Sequence, residues 1–294
     1  MKIYSVGWGW TLTPEDMPHD DSLEAIAREA KALGFDGVDY LSTYESLDSY
    51  FDEATCLRIR STCASLGLAI GGLVFQSDTW NNPDAAVQQV QLDYFAKCVQ
   101  AASWLGARAI SCIIPRPFGA TGPRRNASPS EKKGLKLPAD YNWQKDWDLF
   151  ASMLKKAAGM AAAKNITIAL ECFPGSLCST PHAMMQIIKD VGMSNFGIQL
   201  DTAHLMNQSI DIATAIHMLG GEHLVNVHFK DSDGLTRGNL PAGCGLVDYE
   251  NILATLDHVG YTGTASIEVE FTDNPRRYMK QALDHIHACL NGTY

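Results

Sequence analysis

Ile166-Thr-Ile-Ala-Leu-Glu171 alternates apolar residues with others and ends on a carboxylate. Three later stretches repeat the pattern: Phe196-Gly-Ile-Gln-Leu-Asp201, Leu224-Val-Asn-Val-His228 and Thr264-Ala-Ser-Ile-Glu268. A period of two marks each as a β-strand. One face carries Ile166, Ile168 and Leu170, then Phe196, Ile198 and Leu200, then Val225 and Val227, then Ala265 and Ile267. The opposite face carries Glu171, Gln199, Asp201, Asn226, His228, Ser266 and Glu268 among others. Four groups able to bind a divalent cation therefore share one face and one strand end. Burying lone charges is costly without a partner. A metal ion at the strand ends would pair all four.

Outward from these segments, strand and helix patterns alternate along the whole chain. The pattern predicts strands at 2–8, 35–42, 68–75, 107–115, 166–172, 196–202, 224–230 and 264–270. It predicts helices at 21–33, 47–66, 83–105, 144–164, 180–191, 209–220, 249–259 and 275–291. Eight βα units imply a parallel sheet, and their number favours closure into one (β/α)8 TIM barrel over residues 1–294. The length suffices, since such barrels take about 250 residues. Punctuation agrees. Gly34, Gly67, Gly106, Gly192, Gly220 and Gly260 follow helical runs, where a left-handed residue suits glycine. Asp21 or Ser22, Ser209 and Asp248 are placed as caps, and Pro83 and Pro181 as first-turn prolines.

The formal net charge is −10, which argues against non-specific binding to nucleic acid or to an anionic membrane. No apolar run is long enough to span a bilayer. Eight cysteines, at 56, 63, 98, 112, 172, 178, 244 and 289, include no C-x-x-C pair and several sit in apolar runs. That favours free thiols. The N-terminus carries no leader pattern, so a cytoplasmic location is expected.

One segment departs from the rhythm. Residues 115–143, the β4–α4 loop in the eight-unit count, are long and basic, with Arg116, Arg124, Arg125, Lys132, Lys133 and Lys136. A loop of this length is commonly functional. It reads either as a surface excursion or as a lid or anion-binding arm over the C-terminal face.

Catalytic groups of a barrel enzyme project from the C-terminal strand ends, where Glu171, Asp201, His228 and Glu268 fall. Carboxylates with one imidazole suit Mn²⁺, Mg²⁺ or Co²⁺ and admit Zn²⁺. Glu270 shares the face of Glu268, either as an alternative ligand or as its partner. Asp231 either orients a ligand or only starts the next loop. Trp8, Trp10 and Phe75 end strands, and read as the apolar wall of a sugar pocket or as packing. Gly243-Cys-Gly245 reads as an ordinary turn.

The chain resembles the xylose isomerase-like sugar isomerase/epimerase superfamily, and within it the ketose 3-epimerase and inosose dehydratase groups. The resemblance rests on Ala169-Leu-Glu171, Leu200-Asp-Thr-Ala-His204, Val227-His-Phe-Lys-Asp231, Gly243-Cys-Gly-Leu-Val-Asp248 and Gly260-Tyr-Thr-Gly-Thr-Ala-Ser-Ile-Glu268. Gly34-Phe-Asp-Gly-Val-Asp39 also fits. The resemblance implies that Glu171, Asp201, His228 and Glu268 ligate the metal. It implies that Glu171 and Glu268 form the acid/base pair and that His204 contacts substrate. The implied activity is a divalent-metal-dependent sugar isomerase or epimerase, with Mn²⁺ the first expectation. It abstracts a proton next to a carbonyl through a metal-stabilised enediolate. The expected partner is a small sugar or keto-sugar, with no nucleic acid and no membrane, and a homo-oligomer is compatible.

Two departures bear on the substrate. Ketose 3-epimerases carry a glutamate where this chain has Leu177 and an arginine where it has Gly234, with Arg237 nearby as a substitute. Glu171-Cys-Phe-Pro-Gly-Ser176 resembles uncharacterised sugar isomerase-like relatives. A lyase of the same fold, dehydrating keto-inositols or cleaving C-glycosides, is the alternative. An endonuclease IV-like phosphodiesterase is more remote, because it needs more histidine ligands and a basic face.

Overall fold

The alternating segments form eight strands: β1 Lys2–Val6, β2 Gly37–Ser42, β3 Ala69–Phe75, β4 Ala109–Ile113, β5 Thr167–Glu171, β6 Phe196–Asp201, β7 Leu224–Phe229 and β8 Thr264–Ile267. In the computed structural model, which describes residues 1–7, 20–122, 134–235, 239–270 and 274–292, neighbouring strands pair in parallel. β1 also pairs with β8, so the sheet closes into a barrel in sequence order. Among the described residues the outer layer comprises α1 Asp20–Leu33, α2 Tyr44–Ser49, α3 Glu53–Leu66, α4 Ala85–Leu105, α5 Trp143–Ala162, α6 Pro181–Val191, α7 Thr202–Met206, α8 Ile212–Leu219, α9 Tyr249–His258 and α10 Pro275–Asn291. No helix among the described residues is long and apolar enough to cross a membrane.

The two strand faces separate as the alternation requires. Ile168, Leu170, Ile198, Leu200, Val227 and Ile267 are wholly buried. The barrel interior is polar and hydrogen-bonded. Ser111 Oγ donates to Gln199 Oε1, Ser266 Oγ to Asp39 Oδ2 (2.5 Å), and Asn226 Nδ2 to Ser266 Oγ (3.3 Å). Ser111, Gln199, Asp39, Asn226 and Ser266 thereby each meet a partner, as burial demands. Below this layer the Tyr4 ring fills the barrel. Gly71 makes room for it, because a Cβ there would lie 2.6 Å from that ring and 2.3 Å from Asp39 Oδ1.

Several local expectations change. The single helix expected at 47–66 is two, α2 and α3. Thr43 and Ser46 form a reciprocal cap at the start of α2, and Asp52 accepts from Thr55 N at the start of α3. Two strong caps nine residues apart favour a break. Ser209 is not the cap of the helix after β6. Asp211 is, accepting from Thr214 N at 2.7 Å, while Ser209 has φ 56° just past α7. Pro83 precedes the Asp84 cap of α4 rather than entering its first turn. Asp21 and Ser22 lie within α1, and their side chains fall outside the described residues. Pro181 at N1 and the Asp248 cap stand as read.

The described part of the 115–143 loop is anchored. Thr121 and Lys136 pair backbone to backbone at 2.9 and 2.8 Å. Asp146, in the first turn of α5, accepts from Asn81 Nδ2 (2.7 Å), Phe118 N (2.8 Å) and Tyr141 OH (2.9 Å). Residues 123–133, with Arg124, Arg125, Lys132 and Lys133, lie outside the described residues.

Candidate metal centre and active site

Glu171, Asp201, His228 and Glu268 each offer a ligand atom, and these atoms all lie within 4.8 Å of one another. All four residues are buried. The register explains the convergence. Glu171 pairs with Gln199, and Asp201 stands two residues further along β6, opposite His228. Strand stagger thus carries alternate residues of neighbouring strands to one level of the barrel mouth.

Local contacts aim each group. Asp201 caps α7 by accepting from His204 N at 2.9 Å through Oδ1. Its Oδ2 is buried and pairs with the Lys230 ammonium at 3.1 Å. The Thr202 hydroxyl donates to Lys230 O (2.5 Å) and accepts from Lys230 N (3.1 Å), which clamps the end of β7 to β6. His228 Nδ1 lies 2.7 Å from Glu268 Oε2 and 3.3 Å from Gln199 Nε2, and its Nε2 is buried without a hydrogen-bond partner. Three buried carboxylates and an imidazole whose Nε2 has no partner form a donor set that fits a divalent cation.

Lys230 is the residue that sequence reasoning left without a role. It is 1% exposed, and its ammonium lies 3.1 Å from Asp201 Oδ2, 3.0 Å from Glu268 Oε1 and 3.1 Å from Glu270 Oε1. Asn239 Nδ2 donates to the other oxygen of Glu270 at 2.7 Å. Glu270 is therefore held on Lys230 and Asn239, outside the four-residue cluster. The signal was present: Lys230 follows His228 by two, as Glu270 follows Glu268, so each pair shares a face.

These contacts set the charges. Burial pushes the Glu268 carboxyl up, but Lys230 and then His228 outweigh it and hold it down at about 2. Burial pushes His228 down, yet the hydrogen bond and charge of Glu268 raise it to about 9. Lys230 is held well above the ordinary lysine range: burial opposes this, and Asp201, Glu268 and Glu270 outweigh burial. Burial raises Glu270, with Lys230 opposing and the charge of Glu268 adding to it.

The other expected residues divide. His204 is buried beside the cluster, with Nε2 3.6 Å from Glu171 Oε1 and 3.8 Å from Asp201 Oδ2. Phe75 lines no cavity wall. It is 1% exposed and packs edge-on against Tyr44, Trp80 and Phe95, with centroids 5.4–5.9 Å apart. Its position on the outward face of β3 puts it among the helices, and Tyr44 reaches the cavity in its place. Asp231 is a loop clamp. It is wholly buried and accepts from the backbone N–H groups of Ser232, Gly243 and Val247 at 2.8–3.0 Å. Gly245 serves this clamp, because a Cβ there would lie 2.3 Å from Asp231 Oδ1. Trp8, Trp10 and Arg237 lie outside the described residues.

A cavity of about 720 Å³ opens beside the cluster, above β2, β3 and β4. Tyr44, Ser77, Thr79, Arg116, Phe118 and Phe173 contribute to its wall. Phe173 joins cavity to cluster, with its ring centroid 6.2 Å from that of His204.

The family described as "Xylose isomerase-like TIM barrel" matches residues 27–289. The chain belongs to that family. Within the xylose isomerase-like barrels, an L-ribulose 3-epimerase of Mesorhizobium japonicum is 28% identical over 254 residues, covering 84% of this chain and 75% of that protein. Two solved structures share the fold. A D-psicose 3-epimerase of Clostridium cellulolyticum superposes with a TM-score of 0.77 at 16% identity, covering 99% of each chain. A 3-keto-D-glucoside 4-epimerase of E. coli superposes with a TM-score of 0.76 at 17% identity, covering 98% of this chain and 100% of the other. The four residues that the resemblance marks as ligands in this family are the four that the barrel mouth gathers here.

Proposed function

We propose that the chain is a divalent-metal-dependent sugar epimerase that moves a proton on the carbon next to a carbonyl. The observation that carries this reading is the convergence of Glu171, Asp201, His228 and Glu268 within 4.8 Å in a buried barrel mouth. The L-ribulose 3-epimerase relative supports the sugar class and the epimerase type. The four residues would hold the cation, Mn²⁺ first among those that suit the set. When bound, it would supply Lewis acidity at the carbonyl and neighbouring hydroxyl oxygens of the sugar.

The chain's own groups do the rest. One glutamate of the pair Glu171 and Glu268 takes the α-proton. The C–H bond breaks, its electrons pass into a carbon–carbon double bond, and the carbonyl π electrons move to oxygen. The other glutamate, which enters the step protonated, gives its proton to the opposite face of the same carbon. The double-bond electrons form the new C–H bond and the electrons on oxygen re-form the carbonyl, which inverts the carbon. Lys230 holds Glu268 ionised. His204, 3.6 Å from Glu171, would orient the substrate's hydroxyl groups. The polar contacts given to a free ketose by the glutamate and arginine of ketose 3-epimerases are lacking at two positions. Leu177 is buried, with its amide bonded to Pro115 O, and Gly234 has a left-handed φ of 70° that an arginine would adopt only with strain.

The test is α-deuterium incorporation from D₂O into keto-sugars by Mn²⁺-loaded protein, followed by NMR. Exchange with inversion, lost on chelation and restored by Mn²⁺, is the expected result. Loss of water or aglycone without an epimeric product would assign the lyase class instead.

A further inference from the structure

We infer that the N-terminal end of the barrel, opposite the metal cluster, carries a second ligand site, and that this site takes a small hydroxylated anion such as a sugar acid or a sugar phosphate. The first ground is an unfilled layer. Inward positions of a (β/α)8 barrel are ordinarily filled by bulky branched side chains. Here the Tyr4 ring packs against Gly37 and Gly71. Across the barrel, the inward positions at the same end are Ala109, Thr167, Asn226 and Thr264. The register brings them level in the pairs Ala109–Thr167 and Asn226–Thr264. Their short side chains leave a cavity of about 370 Å³.

The second ground is separation. Thr167 stands four residues before Glu171, and Thr264 four before Glu268. That is about 13 Å along each strand. Ser111 and Asn226, both buried, form the cavity floor. Their hydrogen bonds to Gln199 and Ser266 make the polar layer that lies between the cavity and the metal cluster.

The third ground is the chemistry of the wall. The hydroxyls of Thr167 and Thr264 and the carboxamides of Asn165 and Asn226 both donate and accept, as a sugar hydroxyl does. Arg108, exposed at the rim, is the one charged residue of the described lining. Burial and then Asp39 raise the Tyr4 phenol, and the charge of Arg108 opposes them, so the guanidinium reaches in over the opening. Asp39 itself lies behind Gly71, bonded to Ser266, and is not part of the wall. A guanidinium pairs with a carboxylate or phosphate through two parallel N–H bonds. One guanidinium among neutral groups selects one anionic head on a hydroxylated body. No aromatic side chain lines the cavity among the described residues, so the wall offers no stacking face for a flat base. The volume stands at the lower end of the range of about 300–1,000 Å³ for ligand pockets, which suits a single monosaccharide-sized molecule.

The experiment titrates the chelator-treated full chain with D-gluconate, glucose 6-phosphate, D-glucose and sulfate by calorimetry. Gluconate or glucose 6-phosphate is expected to bind at least tenfold more tightly than glucose, which lacks the charge, and than sulfate, which lacks the hydroxyls. The tighter of the two names the head group. Arg108→Ala is expected to weaken that binding at least tenfold. Thr167→Val keeps the shape of the side chain and removes its hydroxyl. It is expected to weaken binding several-fold, and serves where Arg108→Ala does not fold. Asp201→Asn, at the opposite end of the barrel, is expected to leave the affinity unchanged. These readings need neither the metal nor epimerase activity, so the site stands or falls apart from the function proposed above. Affinity for both sugar anions no better than for glucose overturns the site, as does affinity that survives in both Arg108→Ala and Thr167→Val. Sulfate bound as tightly as the sugar anions reduces the site to a contact with charge alone and overturns it too. Affinity lost in Asp201→Asn and kept in Arg108→Ala moves the anion to the metal cluster, which also overturns it.

Discussion

Glu171→Gln and Glu268→Gln are each expected to lower kcat for α-proton exchange by about 10²–10⁴-fold, the usual contribution of a positioned acid or base. The amide keeps the shape of the side chain and removes its capacity to take a proton. The two variants should differ in stability. Glu268 lies between Lys230 at 3.0 Å and His228 at 2.7 Å, so Glu268→Gln removes an anion from between two cations and is expected to lower Tm. Glu171 has His204 at 3.6 Å and sits near the other carboxylates, so its loss also relieves repulsion, and a smaller change is expected. Single-turnover exchange with Mn²⁺ content measured on each variant separates lost chemistry from lost metal. Near-normal turnover in either variant would refute the assigned acid/base pair.

Lys230→Met is expected to produce the largest loss of stability. Breaking a buried ion pair by removing one partner costs about 3–5 kcal/mol, and here three carboxylates share the ammonium. At about 2–4 °C per kcal/mol for a chain approaching this size, Tm should fall by roughly 10 °C. Saturating Mn²⁺ is expected to narrow that loss, because a cation at the cluster neutralises Asp201 and Glu268 in its place. Thermal denaturation of wild type and variant, with chelator and with Mn²⁺, reads both effects. An unchanged Tm in chelator would contradict the role given to Lys230.

The barrel was legible because strand alternation is a local property. Each of the eight strands appears within the predicted span, though the ends ran one to three residues long, as at Ile267 against 270. The metal cluster was legible for the same reason: a residue's face follows from its parity on the strand. Parity also placed Lys230 and Glu270 inward, but their mutual pairing depends on side chains from two strands and on Asn239 in a loop. The break between α2 and α3 turned on the capping of Thr43 and Asp52, which competes with a helical pattern that reads as continuous. Phe75 was misplaced because an aromatic at a strand end can face the helices as readily as the mouth. The cavity was illegible, since Tyr44 at the start of α2 and Ser77, Phe118 and Phe173 in three loops are brought together only by barrel closure.

The central claim is that Glu171, Asp201, His228 and Glu268 together hold one divalent cation. Calorimetric titration of Mn²⁺ into chelator-treated protein, against Asp201→Asn and His228→Ala, tests it most directly. His228 is held protonated up to about 9, and ligation requires its neutral form, so affinity should rise with pH toward that value as the displaced proton becomes easier to lose. The account predicts one Mn²⁺ per chain, proton release at pH 7, and loss of binding by tenfold or more in both variants. Absent binding in the wild type, or equal affinity in all three proteins, would contradict it.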